Sequence, residues 1–306
     1  MLPDRPDGPS PKSADPARLL THVSVLTNDF LPRNWEHPDN LSRAAAYIHD
    51  RFADAGGIVT YQPIEMDRRF YRNVIARFGP DGQERIVVGA HYDVYEDFPG
   101  ADDNASGVGG LIELAHLFGR SPPAVGVELV AYALEEPKAP GELGLFRTEF
   151  GGSTVHARSL RQQGVSVRVA LVMDMIGFFS DEPATQDVPF SILKPFYPSR
   201  GNFIAIIGKF GQGDVVRGVK RAMRRASPLP VYSMNGAAFL EGVDWSDHLN
   251  YWNAGYPAVL ITDTSFYRNK LYHSAGDTVD RLDFERMAAV VQGVHAAVLA
   301  FAEPTE

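Results

Sequence analysis

Cysteine is absent from the 306-residue chain. That excludes a disulfide framework and a thiolate metal site, so any metal must be held by histidine and carboxylate. Positive charge is scarce as well: 29 Lys and Arg stand against 38 Asp and Glu, a net charge of −9. This deficit argues against a nucleic-acid partner, because no basic face is left over to track phosphates. It suits a cationic substrate end such as a free amino terminus, although solubility alone explains it equally well. Long apolar runs are also lacking. None approaches the roughly 18–20 uninterrupted residues needed to span a bilayer. Met1 to Ala17 is polar and rich in Pro and Asp, without the apolar stretch of a secretory signal. The expectation is a cytoplasmic protein with no membrane partner.

What is present is an ordinary globular balance, 44% hydrophobic and 22% charged. Residues 1–17 read as a disordered tail and 18–306 as one domain. Apolar patterns alternate between helical and strand periods. Asn40 reads as the cap of a helix running to about Ala55, stopped by Gly56-Gly57. Strands are expected at Ile58–Ile64, Asn73–Phe78, Arg85–Ala90, Val127–Leu134, Val169–Met173, Phe203–Ile207 and Pro257–Thr262. Helices are expected at Ser106–Phe118, Ser153–Gln162, Asp214–Arg225 and Phe284–Phe301. The pattern implies an α/β three-layer sandwich with a mixed, mostly parallel central sheet.

In open α/β sheets, ligands gather at the carboxyl ends of the strands. Those ends here carry His91-Tyr92-Asp93, Glu135-Glu136, Asp174 and a loop reaching Tyr272-His273. Each is weak alone, since a strand-end histidine is usually a surface residue and an acidic pair is usually solvated. Together they deliver metal-ligating chemistry to one edge. His91 and Asp93, two apart in extended chain, project to one side, and a carboxylate beside a ligating histidine commonly fixes its tautomer. Gly100-Ala101-Asp102-Asp103-Asn104-Ala105-Ser106-Gly107 reads as a turn and helix cap, or as acids with room for an ion against the backbone. Glu135 and Glu136, neighbours in an extended segment, point opposite ways, so one can bind metal while the other takes a proton from water. Asp174 interrupts an apolar run, which implies a metal or a salt bridge. Histidines 22, 37, 49, 116, 156, 248 and 295 fall away from strand ends and read as structural.

Taken in order, His91-x-Asp93, the Asp102-Asp103-Asn104-Ala105-Ser106-Gly107 run, Glu135-Glu136, Asp174 and Tyr272-His273 resemble the M28 peptidases, the family of the secreted leucyl aminopeptidases of Vibrio and Streptomyces. Trp245-Ser246-Asp247-His248 and the stretch from His273 to Thr278 are similar too. The resemblance spans about residues 40 to 300 and implies a zinc exopeptidase fold that releases N-terminal residues from peptides with two divalent ions. It makes His91 and Asp174 ligands of one ion, Glu136 and His273 ligands of the other, and Asp103 the bridge. Glu135 matches the general base, Asp93 the residue orienting His91, and Tyr272 a tyrosine that in some members steadies the oxyanion. Zinc is the expected metal, with Mn and Co as alternatives for a carboxylate-rich site. A single-zinc glutaminyl cyclase and a non-catalytic binding module of the same fold are the competing readings. Arg268 is five residues before His273 and so within about 18 Å of it. It reads as a grip for a substrate carboxylate or as a salt bridge to Asp263 or Asp280.

Overall fold

A computed structural model describes residues 13–189, 191–237, 240 and 242–303, with the backbone alone for 191–193. Residues 1–12 of the expected tail lie outside it. Its inner end is ordered structure: helix α1 (Pro16–Asp29) starts inside the expected tail, with Pro16 at its first position. Asp15 caps it by accepting the Ala17 amide at 2.9 Å. Arg18 then docks α1 on a buried partner, Glu113, through bonds of 2.8 and 2.7 Å. Helix α2 (Pro38–Asp54) begins two residues before the expected cap. Asn40 lies within it and donates instead to the Pro32 carbonyl at 2.9 Å.

Eight strands form one sheet: β1 (Ile58–Met66), β2 (Arg69–Phe78), β3 (Glu84–His91), β4 (Gly126–Tyr132), β5 (Ser166–Met173), β6 (Ile204–Lys209), β7 (Val231–Gly236) and β8 (Ala258–Thr262). Their order is β1-β2-β4-β3-β5-β8-β6-β7. The centre, β4-β3-β5-β8, is parallel, while β1, β2 and the β6–β8 pairing are antiparallel. The parallel strands are buried on both faces, as their continuous aliphatic sequences require. Ile86 and Val88 point to one face and Val87 to the other, and the same alternation divides the core in two. Helices α1, α2, α3 (Gly107–Arg120), α5 (Gly213–Ala226) and α7 (Phe284–Ala302) cover the first face. Helices α4 (Gly152–Gln162) and α6 (His248–Asn253) cover the second. This is the expected three-layer sandwich. α7 is long and apolar enough to cross a membrane by length and composition, yet it packs its Met287, Val290, Val291, Val294 and Val298 stripe against α5, α3 and α1.

One charged group sits deep in the second face. Glu128 of β4 is 1% exposed, and its Oε1 accepts from Arg77 at 2.9 Å and Arg85 at 3.3 Å. Its Oε2 lies 3.2 Å from His156 of α4. Burial alone would raise this carboxyl, but His156, Arg77 and Arg85 hold it down at about 2. Because the folded value lies below the ordinary one near 4.5, its stabilisation is complete above that pH and is lost as pH falls toward 2. Glu128→Gln is expected to cost about 3–5 kcal/mol at pH 7 by leaving Arg85 and His156, both largely buried, without their carboxylate. In urea unfolding the gap from the wild type should narrow below about pH 4.5 and close near pH 2.

Candidate metal centre

The residues expected at the sheet edge do converge. His91 ends β3, Glu135 and Glu136 follow β4, Asp174 follows β5, and His273 stands in the loop after β8. Asp103 comes from a kinked turn, Ala101–Ser106, between β3 and α3, where its own φ and ψ of −103° and 91° are not helical. His91 Nε2 lies 3.2 Å from Asp103 Oδ1 and 3.5 Å from Asp174 Oδ1. His273 Nε2 lies 3.2 Å from Asp103 Oδ2 and 3.1 Å from Glu136 Oε2. Asp103 thus turns one oxygen to each histidine. Among the described residues, three groups of potential ligand atoms fall within 4.8 Å of one another: His91, Asp103 and Asp174; Asp103, Glu136 and His273; and His91, Glu135 and Glu136.

The third group corrects one expectation. β4 ends at Tyr132, and Leu134 takes a left-handed conformation with φ 62°. The glutamates lie past the end of the strand, and an oxygen of each lies within 4.8 Å of the other and of a His91 ring nitrogen, so the two carboxyls meet at His91 instead of pointing opposite ways. Met175 and His273 are also left-handed, with φ of 56° and 52°. Non-glycine residues pay for that conformation, and here they flank or carry the site.

Asp93 does more than the sequence suggested. His91 Nδ1 is 3.2 Å from the Asp93 carbonyl, which only an N–H can satisfy, so Nε2 is the nitrogen turned toward Asp103 and Asp174. The Asp93 carboxylate is 3.7 Å from that imidazole, but its bonds go to the Glu135 amide at 3.1 and 2.9 Å and the Glu136 amide at 3.1 Å. From the other side, the amides of Phe146 and Leu145 donate to the Glu135 and Glu136 carbonyls at 3.1 and 3.2 Å.

Several supporting residues carry little signal in the sequence. Asp277 accepts the Asp102 and Asp103 amides, each at 3.0 Å, and so fixes the backbone of the bridging aspartate. Asp102 does not face the site. It accepts from Gly177 at 3.0 Å and Asn269 at 3.1 Å and hydrogen-bonds Asp263. Burial, then the neighbouring Asp263, raises the Asp102 carboxyl well above the usual range. Tyr95 and Tyr272 stack on His273 with ring centroids 4.1 and 3.7 Å away, which places them on opposite faces of the imidazole. Asp247 is fully buried beside the centre and bonds Ser153. The only sequence signal for Asp277 and Asp247 was their place in the two lesser similar stretches. His248 is structural as expected, bonding the Val243 carbonyl at 2.7 Å.

Arg268 is a correction. The short turn Ser265–Tyr267 carries the chain inward after β8, and the guanidinium ends 3% exposed beneath the loop. It donates to Gln186 at 2.8 Å and the Phe178 carbonyl at 3.2 Å, over the Phe203 ring, with its charge toward Asp263. It does not line the cavity, so it is scaffold and not a substrate grip.

The donor set fits a divalent cation. Among the described residues Glu136 Oε1 and Asp174 Oδ1 are buried without a hydrogen-bond partner, a costly arrangement for groups that nothing is meant to meet. Burial and the Asp103 charge push Glu136 up to about 7. Burial would lower His273, but Glu136 and Asp103 push it up to about 10. Negative charge is packed here to a density that calls for cationic compensation. Two imidazoles and hard carboxylate oxygens suit zinc first. Beside the donors opens a cavity of about 980 Å³ including its open mouth, with Asp103, Glu135 and Asp174 on one wall. The rest is largely apolar, including Met175, Phe203, Ile207, Trp245, Leu260 and Phe266.

A mixed sheet carrying acids and histidines at its carboxyl edge, beside an apolar cavity, is a zinc-peptidase type of architecture. The chain belongs to peptidase family M28, whose model matches residues 73–298. It is 44% identical over 293 residues to the uncharacterized protein YfbL of Escherichia coli K12, covering 93% of this chain and 88% of that one. It is 24% identical over 229 residues to leucine aminopeptidase 1 of Trichoderma harzianum, covering 70% of this chain and half (50%) of that relative. Among solved structures, LapB of Legionella pneumophila superposes with a TM-score of 0.72 at 20% identity, over 94% of this chain and 72% of LapB. The glutaminyl cyclase of Bacteroides thetaiotaomicron gives 0.71 at 21% identity, over 94% and 98%.

Asp93→Asn removes an acceptor from the amides that hold the glutamates while leaving the His91 ring bond to the backbone. Zinc affinity, read by competition with a chelating dye, is expected to fall about 10–100-fold with the fold intact. Unchanged affinity would show that the glutamates hold their places without it.

Proposed function

We propose that this chain is an aminopeptidase that uses two divalent ions, zinc in the first instance, to release N-terminal residues from peptides. The observation that carries the reading is Asp103, with Oδ1 toward His91 and Oδ2 toward His273, each histidine having a further carboxylate, Asp174 or Glu136. His91 and Asp174 would hold one ion, Glu136 and His273 the second, and Asp103 both. When bound, the ions supply positive charge that acidifies water and polarises a peptide carbonyl.

The rest falls to the chain. Glu135 is 6% exposed and raised well above the usual carboxylate range by burial, with His91 opposing and Glu136 adding to the rise. A basic carboxylate suits general-base work: it takes a proton from the attacking water as the oxygen bonds the carbonyl carbon. It returns that proton to the departing nitrogen as the C–N bond breaks. Burial and then Asp103 keep the Tyr272 hydroxyl protonated, so it serves as a donor to the oxygen that gains charge. The acidic wall favours a protonated amino terminus, and the apolar cavity takes the side chain next to it.

Glu135→Gln is expected to keep both ions and the fold and to lower turnover on aminoacyl anilides by about two orders of magnitude or more. Elemental analysis of active wild type should give two ions per chain. Near-normal turnover of the variant would remove Glu135 from the mechanism. One tightly bound ion, with cyclisation of N-terminal glutamine instead of hydrolysis, would overturn the peptidase reading in favour of a cyclase.

A further inference from the structure

Arg33 is 0% exposed, although arginine is almost never fully buried unless it is paired. Its Nε donates to the Tyr92 carbonyl at 3.0 Å, and its Nη1 to Leu26 and Pro99 at 3.1 and 2.8 Å. Its Nη2 donates to Gly100 at 2.7 Å. Every acceptor is a backbone carbonyl, and among the described residues no carboxylate lies at ion-pair distance from it. A buried charge without its own counter-ion is costly and must answer to something further off. The acids that act on it are Asp277, Asp93, Asp103 and Glu136. Two are proposed ligands, and the other two hold the ligands' backbone. Burial lowers the guanidinium to about 10 against the pull of these four, so it stays charged at neutral pH.

Its position matters as much as its charge. The segment from Tyr92 to Gly100 joins His91 and Asp93 to the turn that carries Asp103, and three of the four carbonyls held by Arg33 belong to it. Gly100, with φ 55°, has no room for a side chain: a Cβ there would lie 2.2 Å from the Asp103 carbonyl oxygen and 3.1 Å from Arg33 Nη2.

We propose that Arg33 is a positioning residue and the resident counter-cation of the acidic centre, offsetting its crowded carboxylates while no divalent ion is bound and spacing His91 from Asp103. The inference rests on the two-ion reading above. Two divalent ions bring four positive charges, so the acids depend on Arg33 far less once the ions are in place. Loss of the charge therefore penalises the metal-free protein more than the loaded one, whereas loss of four carbonyl partners penalises both alike.

Thermal unfolding of wild type, Arg33→Lys and Arg33→Met, each after chelation and with excess zinc, separates the two contributions. Lys keeps the charge but not the planar fork; Met keeps neither. The expected result is a fall in Tm for chelated Arg33→Met roughly twice that of the zinc-loaded variant. Arg33→Lys should recover about half or more of the chelated loss. Equal losses for Lys and Met, or an Arg33→Met protein as damaged with zinc as without it, including one unfolded in both conditions, would overturn the proposal. If zinc fails to stabilise even the wild type, the metal reading fails, and the chelated comparison of Lys with Met still decides whether Arg33 acts through its charge.

Discussion

The carboxylate of Asp103 stands between two histidines, one oxygen to each, and much of the surrounding structure serves to keep it there. Asp277 fixes its amide, and Asn104 ties the turn to β5 by donating to Met173 and accepting from Met175 and Gly107. Ser106 adds bonds to the Asp102 carbonyl and the Ile176 amide. Gly107 opens α3 where a Cβ would meet Asn104 at 2.4 Å. A group proposed to bridge two ions must be rigid, since both sites would depend on its placement to about 0.5 Å. Rigidity here comes from side chains that satisfy backbone amides, the strongest inexpensive way to hold a loop against a sheet.

The second constraint is electrostatic. Asp93, Asp102, Asp103, Glu135, Glu136, Asp247, Asp263 and Asp277 are all buried within a small region. The fold tolerates them in three ways. Asp102 and Asp263 hydrogen-bond as a pair. Asp93 and Asp277 accept backbone amides, whose partial positive charges stand in for water. Asp247 accepts from Ser153, while Asp103, Glu135 and Glu136 gather around the two histidines. Burial pushes Asp247 and Asp277 up to about 7, a measure of how poorly water reaches them. Such crowding has no value in a scaffold and considerable value in a cation site.

Most of this is legible in the sequence, for identifiable reasons. Parallel strands such as Val127–Tyr132 are short aliphatic runs, and the residues just past each run sit at the sheet edge by topology. His91, Glu135, Glu136, Asp174 and His273 can therefore be gathered from the sequence alone. β7 is not legible because Val231–Gly236 is a half-buried edge strand whose polar residues carry no continuous apolar pattern. α1 is hidden beneath a tail whose Pro and Asp content disguises a proline at the first helical position and an aspartate cap. The convergence of both glutamates falls past the end of β4 at Tyr132, next to a left-handed Leu134, and nothing in a leucine announces that turn. Arg268 misleads because proximity along the chain does not tell which way a turn will send a side chain. Arg33 gives no sign at all, since an arginine between a proline and a tryptophan two residues on looks like surface until the carbonyls around it are seen.

The central claim is that Asp103 joins two metal positions. Anomalous diffraction at the zinc edge from crystals of the zinc-loaded protein tests it most directly. The account predicts two peaks about 3.5–4 Å apart, one between His91 and Asp174, the other between Glu136 and His273, with Asp103 reaching both. A single peak, or two that do not share Asp103, would contradict it.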